Sequence, residues 1–425
     1  MDHLPAALMP PPVALYIHVP FCISICPYCD FVVYAGREAR GERSRLTAFL
    51  AALHVELDLR ADLLAAQNAG QPRPPLRSVY LGGGTPSLLS APQVTDLLDH
   101  VARRYGLAAD AEVTIEVNPG PADRGDLRGY RAAGVGRVSI GVQSLQASEL
   151  RTLGRRHSAA DVAATVDLAR AAAFDSVSID LLYDIPGQTL ETWSATLHMA
   201  LGLAVDHVSA YALALDDPAA EGLTGILGDH RPVRAGARAW RDRVRPGQDE
   251  DRAAEMYELA SDRLEGAGLA GYELSNWARA GHEGRHNLVY WQREPYAGLG
   301  PGAHAFDGAG RRTWTAASLA DYLGVLTPAH RVAASLPVGG GELIDDSTAV
   351  AEAAILGLRL RQGIPVELAR HPGVSAGLAW GMSHGLLERV VTRVRLTPRG
   401  RLLADEVFAR LLPAGATASR REAAA

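Results

Sequence analysis

At 425 residues and 48% hydrophobic, the chain is long enough for one large domain with a sizeable core and a smaller one beside it. Charged residues are 21% of the total and the formal net charge is −6, which argues against a nucleic-acid partner, because phosphate binding favours a basic surface. No apolar run of about 18 residues marks a membrane span, and Met1-Asp2-His3-Leu4-Pro5 has neither the basic start nor the apolar stretch of a secretory signal.

Residues 1–13 are Pro-rich and read as a flexible N-terminus. A first strand, Leu15–Val19, leads into Cys22-Ile-Ser-Ile-Cys26-Pro-Tyr-Cys29, which holds all three cysteines of the chain. A disulfide framework would use an even number of cysteines spread over a small secreted chain. A structural zinc site needs four ligands, and His18 is the nearest residue that could complete a Cys3His set. Three thiolates suit a four-iron, four-sulfur (4Fe–4S) cluster with one iron left open to an exchangeable ligand. Closely spaced thiols without a secretory signal point to a reducing cytoplasm.

Further strands are expected at Ser78–Leu81, Glu112–Val117, Arg137–Val142, Ser176–Leu182 and His207–Leu213, with helical stretches at 43–66, 91–105, 122–133, 158–173 and 189–203. Six strands alternating with helices predict an α/β fold of parallel βα units, with reactive residues at the C-terminal strand ends. The pattern alone allows either an open sheet or a barrel.

Gly82-Gly-Gly84-Thr85 follows a strand and precedes a helix, where glycines let the backbone approach a ligand and offer N–H donors. Glu116 and Asp180 are carboxylates inside apolar strands, and buried carboxylates need partners. Gln143 ends the strand between them, and Arg155 is placed to meet a carboxylate.

The rhythm breaks at 216–250, where six arginines lie between Arg231 and Arg245; the bland reading is a solvated loop. A helix at 251–268 opens the segment 251–335. It carries Tyr272-Glu-Leu-Ser-Asn-Trp277, Arg285-His-Asn-Leu-Val-Tyr-Trp291 and Tyr296-Ala-Gly-Leu-Gly-Pro-Gly-Ala-His304. Residues 336–412 suggest a small winged-helix-like domain, with a hairpin at Leu387–Leu396 and a last helix at 398–412. The Ala/Arg-rich tail 413–425 reads as disordered.

The C-x3-C-x2-C spacing, with aromatic Tyr28 before the last cysteine, resembles the radical S-adenosylmethionine (SAM) superfamily. The lead-in Tyr16-Ile-His-Val-Pro-Phe-Cys22 and the exit Asp30-Phe31 narrow the resemblance to one branch. It holds the oxygen-independent coproporphyrinogen III dehydrogenases and the HemW-type haem chaperones. That resemblance implies a partial (β/α)6 barrel over 14–215, a cluster on Cys22, Cys26 and Cys29, and SAM. SAM contacts are implied at Tyr16, Tyr28, Gly83, Gly84, Thr85, Glu116, Gln143, Arg155 and Asp180. The His286-Asn287-x-x-Tyr290-Trp291 stretch resembles the HemW type closely. It implies haem as a ligand with His286 on the iron, His304 as a rival, and Tyr290 and Trp291 as flanking rings.

The implied function is haem delivery to an acceptor protein such as a respiratory enzyme, with an electron donor such as flavodoxin or ferredoxin. Any SAM cleavage is then vestigial or regulatory. The alternatives are the dehydrogenase itself or another radical SAM enzyme such as a methyltransferase. The dehydrogenase type carries a fourth cysteine where Phe31 stands here, and a basic N-terminal arm that is missing. The chain also departs from its relatives after Leu213, where a short acidic turn is replaced by the longer 216–250 insertion.

Overall fold

The computed structural model describes residues 10–36, 45–67, 73–220, 222–224, 228–327 and 335–413. The expected flexible residues 1–9 and the expected tail 414–425 lie outside the described residues. Six parallel strands form the centre: β1 (Ala14–Val19), β2 (Leu76–Gly83), β3 (Leu107–Val117), β4 (Arg137–Gln143), β5 (Ser176–Tyr183) and β6 (His207–Ala212). They lie side by side in chain order. Leu15, Ile17, Val19, Ile115, Val138, Ile140, Val177, Ile179 and Val208 are fully buried. Burial on both faces is what makes parallel strands read as near-continuous apolar runs.

Helices cross over between the strands at Leu46–Gln67, Ala91–Tyr105, Leu127–Ala132, Ala159–Ala171 and Leu190–Gly202. Three begin with reciprocal caps: Ser90 with Gln93, Ser158 with Asp161, and Thr189 with Thr192. Each cap satisfies backbone donors that a helix start leaves open.

The segment after residue 250 does more than extend this unit. Its strand Tyr296–Leu299 pairs parallel to β1, and Asn276–Ala278 pairs antiparallel to β6, so it adds to both edges. Strands His304–Phe306, Arg311–Thr315 and Val338–Leu343 continue beyond Tyr296–Leu299, giving a twelve-stranded sheet. Glu56, on the first helix and fully buried, ties this edge down. Its carboxylate pairs with Arg60 at 2.8 Å and accepts from the Gly300 N–H at 2.9 Å and the Tyr322 hydroxyl at 2.7 Å. The turn that leads to His304 is thereby fixed on the barrel.

Residues from 346 onward pack around a second core of Ala351, Leu358, Ile364, Leu378, Val394 and Val407. Two helices, Asp346–Arg359 and Pro372–Ser383, cover a three-stranded antiparallel sheet containing the Leu387–Val390 and Arg393–Leu396 hairpin. The expected single helix at 398–412 is instead two short ones, Pro398–Leu402 and Ala404–Ala409, broken at Leu403. Among the described residues, no helix is long and apolar enough to cross a membrane.

Candidate functional site

A cavity of about 480 Å³ opens at the C-terminal ends of the central strands. It is lined by Cys22, Cys26, Tyr28 and Cys29 from the loop after β1, by Gly83, Gly84 and Thr85 after β2, and by Glu116, Gln143, Arg155 and Asp180. Eleven residues singled out in the sequence thus line one space, and Tyr16 and His286 do not.

The cysteine loop is built to hold negative charge. It turns back on itself through the Cys29 N–H to the Cys26 carbonyl at 3.2 Å. Arg155 Nη1 lies 3.7 Å from Cys26 Sγ, and the Thr85 hydroxyl donates to Cys22 Sγ at 3.5 Å. Asn118 links the two: it accepts from Arg155 Nη2 at 2.6 Å and donates to Thr85 Oγ1 at 3.1 Å. Burial pushes the Cys22 thiol up to about 11 and the Cys29 thiol up to about 12, so thiolates here need a bound cation to exist at neutral pH.

Among the described residues, no three His, Cys, Asp or Glu side chains gather around a point to hold one ion. A zinc ion draws its ligands to about 2.3 Å from a single centre, whereas a cluster spreads its thiolates over separate irons. His18 is committed elsewhere, with Nδ1 3.0 Å from the Tyr16 hydroxyl and Nε2 2.8 Å from the Val32 carbonyl. The Cys3His zinc alternative therefore has no fourth ligand at His18, and the donor set fits a cluster.

The glycine run serves differently from expectation. Gly83 sits at φ +104°, and a Cβ there would lie 2.4 Å from the His18 ring. The N–H groups of Gly83, Gly84 and Thr85 are all taken, by Glu116 Oε2 at 3.0 Å, Val19 O at 2.9 Å and Phe21 O at 2.7 Å. The run therefore offers a ligand close backbone approach rather than free donors, which suits an amino group, itself a donor.

Glu116 accepts from the Tyr80 hydroxyl at 2.8 Å on its other oxygen. Asp180 accepts from Ser139 at 3.1 Å, and burial raises its carboxyl above its ordinary value. Gln143 holds φ +66°, a strained value for a side-chain-bearing residue, at the cavity wall.

Burial pushes the Glu116 carboxyl up to about 7 from 4.5, with Asp180 adding to the shift and the Tyr80 and Gly83 hydrogen bonds opposing it. The folded form holds this proton more tightly than the unfolded chain. Its contribution to stability is complete below pH about 4.5 and is lost as pH rises through about 7. The shift corresponds to roughly 3 kcal/mol. Ligand-free wild-type protein should lose about that much stability across the window relative to Glu116→Gln, measured as urea midpoints in a pH series. Parallel curves for the two proteins would remove the assignment.

Two expected contacts are elsewhere. Tyr16 stands one layer behind the cavity, stacked on Tyr80 with ring centroids 6.2 Å apart, and it is Tyr80 that lines the space. His286 is buried, with Nδ1 2.9 Å from the Ser78 hydroxyl and Nε2 2.8 Å from the Tyr290 hydroxyl. Burial lowers it to about 3, so it stays a neutral ring with both nitrogens engaged. In this arrangement His286 pins the helix Arg285–Trp291 to β2 and has no nitrogen to offer iron. Its neighbour Asn287 lines the cavity instead.

The Arg-rich insertion corrects the solvated-loop reading. Arg241, on the helix Ala235–Val244, is 2% exposed. It donates to the Pro27 carbonyl at 3.2 Å, the Cys29 carbonyl at 3.3 Å and the Asp30 carboxylate at 2.6 Å, and also to the Asp216 carbonyl. Trp240 and Val244 of the same helix pack with Tyr28 on a small core of Leu153, Leu182, Ile185, Leu213 and Leu215. The insertion thus clamps the cysteine loop from outside. Arg241, Tyr80 and Asn118 carried no local signal in the sequence, since each depends on a neighbour far along the chain.

The radical SAM superfamily model matches residues 16–200. A haem chaperone HemW of Mycobacterium tuberculosis is 40% identical over 402 residues, covering 94% of this chain and 95% of that protein. The chain belongs to the HemW family. The HemW of Bacillus subtilis is 32% identical over 408 residues, covering 93% of this chain and 98% of its own. Among solved structures, coproporphyrinogen III oxidase HemN of Escherichia coli matches with a TM-score of 0.76 at 21% identity, over 96% of this chain and 91% of that one, a likeness of fold. The HemW resemblance read from the cysteine loop and the His286–Trp291 stretch is therefore shown, together with the radical SAM barrel.

Proposed function

We propose that this chain is a haem chaperone: it binds haem, holds a SAM-liganded 4Fe–4S cluster, and passes haem to an acceptor protein. The observation that carries the reading is the 40% identity to a HemW over nearly the whole length of both chains. Phe31 standing where the dehydrogenase type has its fourth cysteine supports it.

On this reading Cys22, Cys26 and Cys29 hold the cluster, and residues 14–215 form its barrel. When bound, cluster and SAM supply one-electron reductive cleavage of SAM. The protein's own residues bind and orient. Arg155 would offer its guanidinium to a ligand carboxylate beside Cys26, and Glu116 and Asp180 would serve as hydrogen-bonding groups for SAM on the cavity wall. Tyr28, Gly83, Gly84, Thr85 and Gln143 shape the walls. The acceptor is a respiratory enzyme, the electron donor a flavodoxin or ferredoxin, and the compartment the cytoplasm.

Anaerobically reconstituted protein tests this by haem titration alongside a coproporphyrinogen III assay with SAM and reductant. Stoichiometric haem binding without porphyrinogen turnover is the expected result. Turnover without tight haem binding would replace the chaperone with the oxidative enzyme.

A further inference from the structure

The outer side of the insertion carries a charge opposite to that of the whole chain. Residues 229–245 hold six arginines and two aspartates, in a chain of formal net charge −6. Arg231, Arg234, Arg238, Arg243 and Arg245 are exposed. Of these, Arg238 alone has a carboxylate partner among the described residues, Asp217 at 2.9 Å. Arg231 donates to the Val33 carbonyl at 3.2 Å and Arg245 to the Leu215 carbonyl. A carbonyl accepts the hydrogen bond but leaves the charge uncompensated. The side chains of Arg234 and Arg243 make no hydrogen bond or ion pair among the described residues. A patch of one sign steers a partner of the other.

The patch is fastened around the exit of the cysteine loop. Residues three, four and seven apart share one side of a helix, so Arg234, Arg238 and Arg245 flank Arg241, on the side that meets the loop. Arg241 holds Asp30 at 2.6 Å, while Arg231 holds Val33 and lies over the Tyr34 ring at 4.1 Å. Phe31 falls between these two anchors and is 62% exposed. An open apolar ring beside arginines has the composition of a protein–protein interface, where Phe and Arg are enriched. A partner on this face is separated from the cysteine loop by the thickness of one helix, about 10–12 Å with side chains.

We propose that this face of the insertion docks a small acidic protein carrying a one-electron cofactor, the reductant of the cluster site. The inference rests on the proposed function, in which Cys22, Cys26 and Cys29 hold the cluster, and deepens it by assigning the donor a surface. One electron leaves the docked carrier, which is oxidised, and reduces the cluster; no bond forms or breaks in that step. Phe31 and the uncompensated guanidiniums make the contact. They attract an acidic carrier and repel a basic one, so the patch sets partner choice as well as approach. Arg241 is a positioning residue, holding the helix on the loop.

The test is calorimetric binding of oxidised flavodoxin, an acidic flavin carrier, to full-length, cluster-loaded protein at several salt concentrations. Wild type should bind with an affinity that falls as salt rises. Arg234→Glu/Arg243→Glu should bind more than about 10-fold more weakly at low salt and lose most of that salt dependence, with unchanged iron content. Reduced flavodoxin should then bleach the cluster absorbance correspondingly more slowly in this variant. Arg103→Glu/Arg128→Glu makes the same change in net charge at exposed positions on the helices Ala91–Tyr105 and Leu127–Ala132, and should match wild type. Equal weakening in the two variants would overturn the docking face, as would wild-type affinity in Arg234→Glu/Arg243→Glu or tighter binding of single-stranded DNA than of flavodoxin. Haem binding is read separately. Wild type that binds flavodoxin through this face but no haem would bring down the chaperone reading and leave the docking face in place.

Discussion

Cys26→Ala will not assemble the four-iron cluster: after anaerobic reconstitution it will lack the reduced cluster's EPR signal and hold well under four irons per chain. The reason is arithmetic. The chain has three cysteines, all in one loop, and a cluster with an open iron uses all three. His18, the nearest imidazole in the sequence, is held by Tyr16 and Val32 and cannot substitute. The loss extends beyond the metal, because Arg155 Nη1 is aimed at Cys26 Sγ and Thr85 at Cys22 Sγ. SAM affinity should fall with the cluster. A full four-iron signal in Cys26→Ala would mean that the cysteine loop is not the cluster's ligand set.

Arg241→Ala will destabilise the same loop from outside. Arg241 is almost wholly buried, and its guanidinium satisfies the carbonyls of Pro27, Cys29 and Asp216 as well as the Asp30 carboxylate. Removing a buried donor leaves each acceptor desolvated at about 1–3 kcal/mol apiece. Asp30 is part-exposed and can turn to water, which reduces its share. A net loss of roughly 2–4 kcal/mol is expected. It should appear as faster loss of cluster absorbance under a chelator and a lower urea midpoint. Arg238→Ala, whose target pairs with Asp217 at the surface, should change little. Equal cluster lifetimes in Arg241→Ala and wild type would return the insertion to the solvated loop that its composition suggested.

The barrel was legible because parallel strands buried on both faces leave continuous apolar runs, as in Ser176–Tyr183, and because the helices between them are capped by Ser or Thr. The cysteine loop was legible from spacing alone. The edge strand Tyr296–Leu299 was not, since a short Gly-containing run shows neither alternation nor an apolar stretch. Tyr16 and Tyr80 are register partners in neighbouring strands, so pattern cannot say which ring reaches the cavity; the hydrogen bond from Tyr80 to Glu116 decides it. His286 could be singled out by residue type, but its two bonds to Ser78 and Tyr290 exist only in the fold. Arg241 was hidden for the same reason, its partners lying more than 200 residues upstream at Pro27, Cys29 and Asp30.

The most direct test of the central claim is transfer itself. Haem-loaded, cluster-reconstituted protein is mixed anaerobically with a haem-free respiratory enzyme, and the two are separated and assayed for haem and for respiratory activity. The account predicts that haem leaves this chain stoichiometrically and that the acceptor gains activity faster than with the same concentration of free haem. Haem that stays on the chain, or reaches the acceptor no faster than free haem does, would contradict it.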